Sequence, residues 1–143
     1  MEVIFITASS MSFKENDKQL IEWYKKEIAR NGIEVRFNTE INDIKTLGGF
    51  DEIIVATGSV PRKMPIPGFD KTMTLTELLA EKKPVGDKVI VFGGGQSGCE
   101  AALELVLQGK HPTVVEYAVD LVAAANVPLP NASYLREALV FHQ

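Results

Sequence analysis

The feature that most constrains the fold of this chain is a short apolar run that leads directly into a glycine-rich turn. The apolar run covers residues 89–92. Six residues follow it with the spacing G-x-G-x-x-G: Gly93, Gly94, Gly95, Gln96, Ser97 and Gly98. In such a turn the first glycine permits the bend, the second lets the backbone approach a ligand, and the third lets the next helix pack closely. The pattern predicts a strand, a turn and a helix in succession.

The residues after the turn complete a β-α-β unit. Apolar residues recur at helical spacing from Cys99 to Gln108, and Gly109 supplies a stop. A second apolar run, residues 113–115, predicts a strand that ends at Glu116. This acid lies near the offset of about 20 residues from the first glycine that is expected in a dinucleotide-binding unit. Because turn, helix and acid agree, we favour this interpretation over a purely structural turn.

Charge at Glu116 predicts which dinucleotide is bound. The free amides of the turn and the positive end of the helix dipole would hold a diphosphate, and Glu116 would bind the adenosine ribose. A carboxylate about 4 Å from a 2′-phosphate repels it by about 4 kcal/mol at an effective dielectric constant of about 20. We therefore expect NAD(H) rather than NADP(H). The alternative for Glu116 is an ordinary solvated acid at the end of a strand.

Composition excludes several classes of protein. With 143 residues, the chain can form one domain or two small lobes. A net charge of −4 gives no basic field, so no nucleic-acid partner is expected. No apolar run reaches the roughly 18 residues of a membrane span, and the N-terminus does not resemble a secretory signal. We expect no membrane association and a cytoplasmic location.

The few residues with reactive side chains do not form a recognisable catalytic or metal site. Cys99 is the single cysteine, so it cannot form an intrachain disulfide or redox pair, and its helical position favours a small buried hydrophobic residue. His111 and His142 are far apart and lack ligand spacing, so we expect no metal. No general acid or nucleophile stands out, and we assign no catalytic residue.

Ahead of the glycine turn, the pattern alternates between strands and a helix. Residues 3–6 predict a short strand, residues 33–38 a half-buried strand, and residues 53–56 a fully buried parallel strand. An amphipathic crossover helix is expected between the first two. It starts at a capping box, Ser12 with Glu15 or Asn16 with Gln19.

The remaining segments predict a connector and two further helices. Three prolines between residues 61 and 67 indicate a stiff, extended connector. Thr74 and Glu77 form a capping box before a short helix, and Asn131 is positioned to cap a final one. The fold class that results is α/β with a parallel sheet.

Several of these segments together resemble a known family. Residues 53–61, 65–68, 89–100 and 114–116 resemble the two-dinucleotide-binding flavoprotein oxidoreductases. More narrowly, the chain is similar to the C-terminal half of the NADH:flavin oxidoreductases related to 2-enoate reductase and 2,4-dienoyl-CoA reductase. The segments that agree with this narrower group are residues 21–24, 35–40 and 128–131, so the resemblance covers nearly the whole chain.

The resemblance implies a second cofactor. In such enzymes the Ala-Thr-Gly turn lies against FAD, so Ala56, Thr57 and Gly58 are expected to bind FAD. The NAD(H) role is expected of Gly93, Gly95, Gly98 and Glu116. Without the resemblance, the segment around Thr57 would be interpreted as an ordinary strand exit.

Departures from the family indicate an internal piece of a longer enzyme. No second glycine motif precedes residue 35, and the Gly-Asp return strand, the FMN barrel and the iron-sulfur cysteines are absent. We therefore expect incomplete Rossmann-like, three-layer units: a partial FAD-binding lobe at 1–68, a connector with a short helix at 69–85, and the leading half of an NAD(H)-binding lobe at 86–143. Expected partners are the remaining domains of the parent flavoenzyme and other copies of the chain, through exposed sheet edges.

Two functions follow from these expectations. In the first, the chain is the dinucleotide-binding part of an NADH-dependent flavin oxidoreductase of the enoate or dienoyl-CoA reductase type, inactive when isolated. In the second, it is a non-catalytic module that binds NAD(H) or ADP-ribose.

Overall fold

The structure is a computed structural model that describes residues 4–123 and 127–142. Two 3₁₀ turns lie at Ile44–Leu47 and Phe69–Lys71. The helices and strands, in chain order, are α1 Ile4–Ser9, α2 Glu15–Arg30, α3 Leu75–Leu79, β1 Lys88–Phe92, α4 Gln96–Leu107, β2 His111–Val115 and α5 Leu129–Phe141. None of the described helices is long and apolar enough to cross a membrane.

The sheet is formed by β1 and β2, which are parallel and pair from Lys88 with His111 to Phe92 with Val115. Parallel neighbours need a crossover, and α4 provides it. Alternate residues of both strands are half-buried, as expected when one face packs against a helix. The predicted β-α-β unit, including the stop at Gly109 with φ +76°, is confirmed.

Helix α4 lies at the centre of the molecule. Its residues 99–105 are all buried, and it packs against the sheet and α5. The main apolar cluster consists of Cys99, Leu103, Val122, Ala132 and Leu135. Cys99 is fully buried, which confirms its interpretation as a small core residue.

The prediction of a strand at residues 3–6 is wrong. The described residues of this run form the start of α1, and Val3 lies outside the described part. A strand needs a neighbour to bond its backbone, whereas a helix satisfies its backbone locally. The Ser9 and Ser10 hydroxyls also donate to the carbonyl of Ile6, at 3.0 and 2.7 Å, which further stabilises the helical turn.

The predicted strands at residues 33–38 and 53–56 are also wrong. Both runs are extended or turn-like and exposed, and neither pairs with another described segment. Ile54 is 90% exposed and Val55 is 70% exposed. An apolar run becomes a strand only when a neighbouring ladder accepts its backbone groups, and sequence pattern alone cannot supply that neighbour.

The predicted amphipathic helix is present as α2, but its start and its environment differ. Neither predicted capping box forms: the N-cap residue is Lys14, without a side-chain cap, and the Ser12 hydroxyl donates to Glu104 instead. None of its residues is buried, and Trp23 and Tyr24 are each about half exposed. Because the flanking runs are not strands, α2 is not a crossover helix in this structure.

The two later helices follow the sequence more closely. The capping box of Thr74 and Glu77 is present at the start of α3, as predicted. The final helix begins at Leu129 rather than after Asn131, with Pro128 as its N-cap residue. Pro130 fits the first turn of α5 because that turn needs no amide donor.

Candidate dinucleotide-binding site

The glycine turn, residues 93–98, joins the end of β1 to the start of α4. Gly93 has φ +105°, a backbone conformation that residues with a Cβ rarely adopt. Its amide donates to the carbonyl of Val115 at 2.9 Å, so the parallel pairing extends into the turn. The chain can therefore bend sharply off the strand while it remains bonded to β2.

Gly98 allows the helix to pack against this bend. A Cβ at this position would lie 1.9 Å from the carbonyl oxygen of Gly93 and 3.6 Å from Cγ1 of Val91. The first contact is far shorter than any real carbon–oxygen contact, so every residue other than glycine would displace the helix. The expected packing role of the third glycine is therefore present in the structure.

Gly95 has open space where its side chain would be. An added Cβ would meet no atom within 4 Å, and the residue is the N-cap of α4 without a side-chain cap. Within the described residues, no side chain bonds the amides of Gly95, Gln96, Ser97 or Gly98. Unsatisfied amides at a helix N-terminus form an anion site, and the first turn of α4 holds no acid that would oppose an anion.

Glu116 lies beside the turn, as its position at the end of β2 requires. Its Oε2 accepts the amide of Gly94, and its Oε1 accepts the amide of Ala118 at 2.7 Å. These two bonds, the one from Ala118 first, lower the pKa of Glu116 below its usual range. The carboxylate is therefore ionised at neutral pH, with its charge next to the glycine turn.

Gly94 and Cys99 fix the inner side of the turn. The carbonyl of Gly94 accepts the amide of Val122 at 2.8 Å, and the Cys99 thiol at 3.3 Å. Burial raises the pKa of that thiol, which keeps it protonated and suits it to donate. The turn is thus held from inside while the amides of Gly95 to Gly98 remain available.

The segment expected to bind FAD and the start of α4 line the same cleft. The cleft has a volume of about 590 Å³ and is lined by Thr57, Gly58 and Ser97 together with residues of α1 and α3. Gly58 has φ +77°, and a Cβ there would meet nothing within 4 Å. The structure therefore brings Thr57 and Gly58 to the same cleft as Ser97; Ala56 does not line it.

Two acids on α4 were not predicted as functional residues. Glu100 and Glu104 are each only 7% exposed. Glu100 binds Lys14 at 2.7 Å, and Glu104 accepts two bonds from Ser12. No local signal could have found them, because their partners Lys14 and Ser12 are distant in sequence. Among the described residues, no group of histidines, cysteines or acids is arranged to hold a metal.

Comparison with known proteins identifies the family of the chain. Residues 46–140 match the model of the pyridine nucleotide-disulphide oxidoreductase family, whose domain is Rossmann-like and binds FAD and NAD(P). The α/β, Rossmann-like fold class is thereby confirmed, and the expected cofactors, NAD(H) and FAD, are those of this family.

Relatives and a solved structure agree. The chain is 41% identical over 124 residues to cinnamate reductase of Clostridium sporogenes, covering 85% of this chain and 18% of the relative. It is 34% identical over 122 residues to NADH oxidase of Thermoanaerobacter brockii, covering 80% and 19%. A 2-naphthoyl-CoA reductase in complex with 2-naphthoyl-CoA superposes with a TM-score of 0.80 at 26% identity, covering 96% of this chain and 21% of that one.

The chain thus spans about a fifth of the length of these relatives. Its resemblance to the enoate-reductase type of flavoenzyme, expected from the sequence, is confirmed by the named relatives. The chain belongs to the pyridine nucleotide-disulphide oxidoreductase family.

Proposed function

We propose that this chain binds NADH at the glycine turn and directs the nicotinamide toward an FAD that lies against the segment containing Thr57 and Gly58. The observation that carries this proposal is the cleft that joins Ser97, in the first turn of α4, to that segment. One dinucleotide held by the turn could thus extend to the flavin-binding segment.

At the NADH end, the diphosphate would accept bonds from the amides of Gly95, Gln96, Ser97 and Gly98. The open space at Gly95 supports close approach of the backbone to the phosphates. Glu116 would bind the adenosine ribose, after it exchanges its bond with Gly94 for one with the ribose hydroxyl. Its negative charge disfavours the additional phosphate of NADPH.

At the flavin end, Ala56, Thr57 and Gly58 would lie along FAD. The exposed backbone of this segment and the absence of any atom near a Cβ at Gly58 fit a flat ligand in close contact. Bound flavin would supply the chemistry, by accepting a hydride from NADH. The part of this chain is to bind and orient the two nucleotides, and we assign it no catalytic residue.

In the intact enzyme, the reduced flavin would serve the reduction of an enoate or a dienoyl-CoA compound. The names of cinnamate reductase and 2-naphthoyl-CoA reductase support this substrate class. The remaining domains of the parent flavoenzyme would hold the substrate, since this chain corresponds to about a fifth of such relatives. We also propose the division into 1–68, 69–85 and 86–143, a cytoplasmic location, and self-association through exposed sheet edges, to which the exposed run of residues 53–56 would contribute.

The second candidate is a non-catalytic module that binds NAD(H) or ADP-ribose. The exposure of Ile54 and Val55 favours it for the isolated chain, because the segment leading to Thr57 is not part of a sheet. A sheet would hold this segment firmly against a flavin.

Colour separates the two candidates. Purified protein that retains FAD is yellow and absorbs at about 450 nm. Retained flavin supports the first candidate. Colourless protein that binds NADH, and still binds no FAD after reconstitution, supports the second.

The dinucleotide site is tested by Gly95→Val. The new side chain would fill the space that the diphosphate needs, so NADH affinity measured by calorimetry should fall by tenfold or more, about 1.4 kcal/mol. Gly86→Val is the matched control, since a Cβ at Gly86 also meets nothing within 4 Å and Gly86 does not have a positive φ. Equal NADH affinity in the two variants would refute the site.

The preference for NADH is tested by Glu116→Gln. Loss of the charge should lower the ratio of the NADPH and NADH dissociation constants by about tenfold, less than the full Coulomb value because the site is open to solvent. Glu137→Gln, an exposed acid on α5, is the control. An unchanged ratio would show that Glu116 does not face the 2′ position.

A further inference from the structure

Glu104 is a buried acid that holds a distant segment of the chain. Its Oε2 accepts the amide and the hydroxyl of Ser12, both at 2.8 Å, and its Oε1 accepts the side-chain amide of Gln108 at 2.8 Å. Burial alone would raise the pKa of Glu104, but the bonds from Ser12 and Gln108 lower it below its usual range. The acid is therefore a charged acceptor with every partner in place.

Glu100, one turn earlier on α4, holds the same segment. It forms an ion pair with Lys14 at 2.7 Å, in which both side chains are largely buried, and it accepts Nε2 of Gln96 at 3.0 Å. Ser12 and Lys14 both belong to the loop of residues 10–14, which connects α1 to α2. We call this connection the α1–α2 loop.

The contacts of Glu104 with Ser12 and of Glu100 with Lys14 both contribute to stability. A buried carboxylate without partners is costly, and a hydrogen bond to a charged group contributes more than a neutral one. In contrast, the ion pairs along α2 join exposed side chains three residues apart, such as Lys25 with Glu22. Exposed pairs of that type contribute little. The polar contacts that anchor the α1–α2 loop to α4 are therefore those of Glu100 and Glu104, while Met11 of the loop is buried and Phe13 packs against the main apolar cluster.

This anchoring determines where α1 lies as one wall of the cleft that Thr57, Gly58 and Ser97 also line. Thr7, Ala8 and Met11, from α1 and the start of the loop, line the cleft together with Thr57 and Gly58. Glu100 lines it too. The position of this wall relative to the first turn of α4 thus depends on the contacts of Glu104 with Ser12 and of Glu100 with Lys14.

We propose that Glu104, together with Glu100, is a positioning residue: by holding Ser12 and Lys14 it fixes α1 as a wall of the cleft and so sets where the nicotinamide half of NADH lies. This inference rests on the proposed function for its nucleotide part. Glu116, the proposed ribose ligand, does not line the cleft, so the adenosine half of NADH would lie outside it and would not depend on the wall.

The hydrogen bonds between Ser12 and Glu104 predict different outcomes for Glu104→Leu and Glu104→Gln. Glu104→Leu leaves both Ser12 donors without an acceptor. Glu104→Gln keeps one oxygen that can accept both, and its amide can donate to Gln108 once that side chain turns over. A positioning role through hydrogen bonds therefore predicts loss in the first variant and rescue in the second. Glu137→Leu is the matched control, because Glu137 is exposed on α5.

The first measurement is amide hydrogen exchange of the whole chain. In Glu104→Leu, exchange should become about tenfold faster at Ser12 and through α1, while β1 and β2 keep their protection. Glu104→Gln and Glu137→Leu should exchange like the parent protein. Should Glu104→Leu fail to fold, Ser12→Ala removes one donor from the other side and should give the same local pattern with a smaller increase.

The second measurement compares NADH with ADP-ribose by calorimetry. In Glu104→Leu, NADH affinity should fall by about tenfold while ADP-ribose affinity stays within about twofold, since only NADH enters the cleft. Equal losses for both ligands would overturn the positioning role. Unchanged exchange at α1, or faster exchange throughout β1 and β2, would overturn it independently of any ligand. Absence of binding of both ligands to the parent protein would overturn the proposed function, and the nicotinamide role of Glu104 with it, whereas the exchange data would still decide whether Glu104 anchors the loop.

Discussion

Two apolar runs of this chain, residues 89–92 and 53–56, have similar composition but adopt different structures. The first lies in β1, pairs with β2 along its whole length and packs against α4. The second is extended and exposed, with Ile54 at 90% and no described partner. Both were expected to be strands of a parallel sheet.

The difference lies in where each run finds its neighbour. Each residue of β1 pairs with a residue of β2 that lies 23 positions later in the chain, such as Phe92 with Val115. The helix that covers β1 lies between the two strands in sequence. Closing such a short connection costs less entropy than bringing together distant parts of the chain. Residues 53–56 have no neighbour of this kind in the described chain. A strand therefore requires a partner as much as it requires a pattern.

The largest expected effect tests how tightly the first region is packed. Gly98→Ala would place a Cβ 1.9 Å from the Gly93 carbonyl, so α4 must move away from β1. We expect a loss of about 3 kcal/mol in the free energy of unfolding, measured by urea denaturation. Gly86→Ala, with open space around it, should change stability by less than about 0.5 kcal/mol. Equal losses in the two variants would contradict the close packing.

The next prediction places the same kind of substitution in both regions. Val91→Thr puts a hydroxyl on the half-buried side of β1 and should cost about 1 to 2 kcal/mol of unfolding free energy. Ile54→Thr changes a side chain that is already in water and should change it by less than about 0.5 kcal/mol. A cost at Ile54 comparable to that at Val91 would show that residues 53–56 form a strand in solution, with another copy as their partner.

Sedimentation sharpens this point, because the proposed self-association uses the exposed region. Ile54→Lys should shift the oligomer-to-monomer transition to a protein concentration about tenfold higher, since charge on an exposed apolar run opposes pairing. Val119→Lys is the control, because Val119 is fully exposed and lies outside this run. A monomer at all concentrations in the parent protein would remove the proposal.

What the sequence predicted well is what is local. Residues close together in the chain specify the β-α-β unit, the helix α2 and the Thr74–Glu77 capping box. Hydrophobic periodicity and the residues that start and stop helices are therefore enough to predict them. The failures at residues 3–6, 33–38 and 53–56 have one cause. Each required a neighbouring strand that the pattern could not identify.

As with the fold, the local features of the site were predicted and its long-range contacts were not. Gly93, Gly98 and Glu116 occupy the places that their spacing indicated, and Gly95 faces open space. Glu100 and Glu104 were missed because their partners, Lys14 and Ser12, are distant in sequence. No local pattern shows that an acid on a helix binds a loop some 90 residues earlier.

The smallest expected effect concerns an element that is fixed locally rather than by a partner strand. At the start of α3, the Glu77 carboxylate accepts the Thr74 amide at 2.7 Å and also binds Lys83. The bond from Lys83 and then those from Thr74 lower the pKa of Glu77 to about 2 from an ordinary 4.5. A depressed folded-state pKa means that the stabilisation is complete above about pH 4.5 and is lost as the pH falls through about 2.

Glu77→Gln should therefore differ from the parent protein in the amide exchange rate of α3 at pH 5, and this difference should shrink towards zero as the pH approaches 2. Glu40→Gln, an exposed acid outside the regular elements, controls for general acid effects. Because α3 depends on its own cap, β1 and β2 should exchange alike in all three proteins above pH 4.5. A difference that stays constant from pH 5 to 2 would mean that the shape of the substituted side chain, and not the lost charge, accounts for the change.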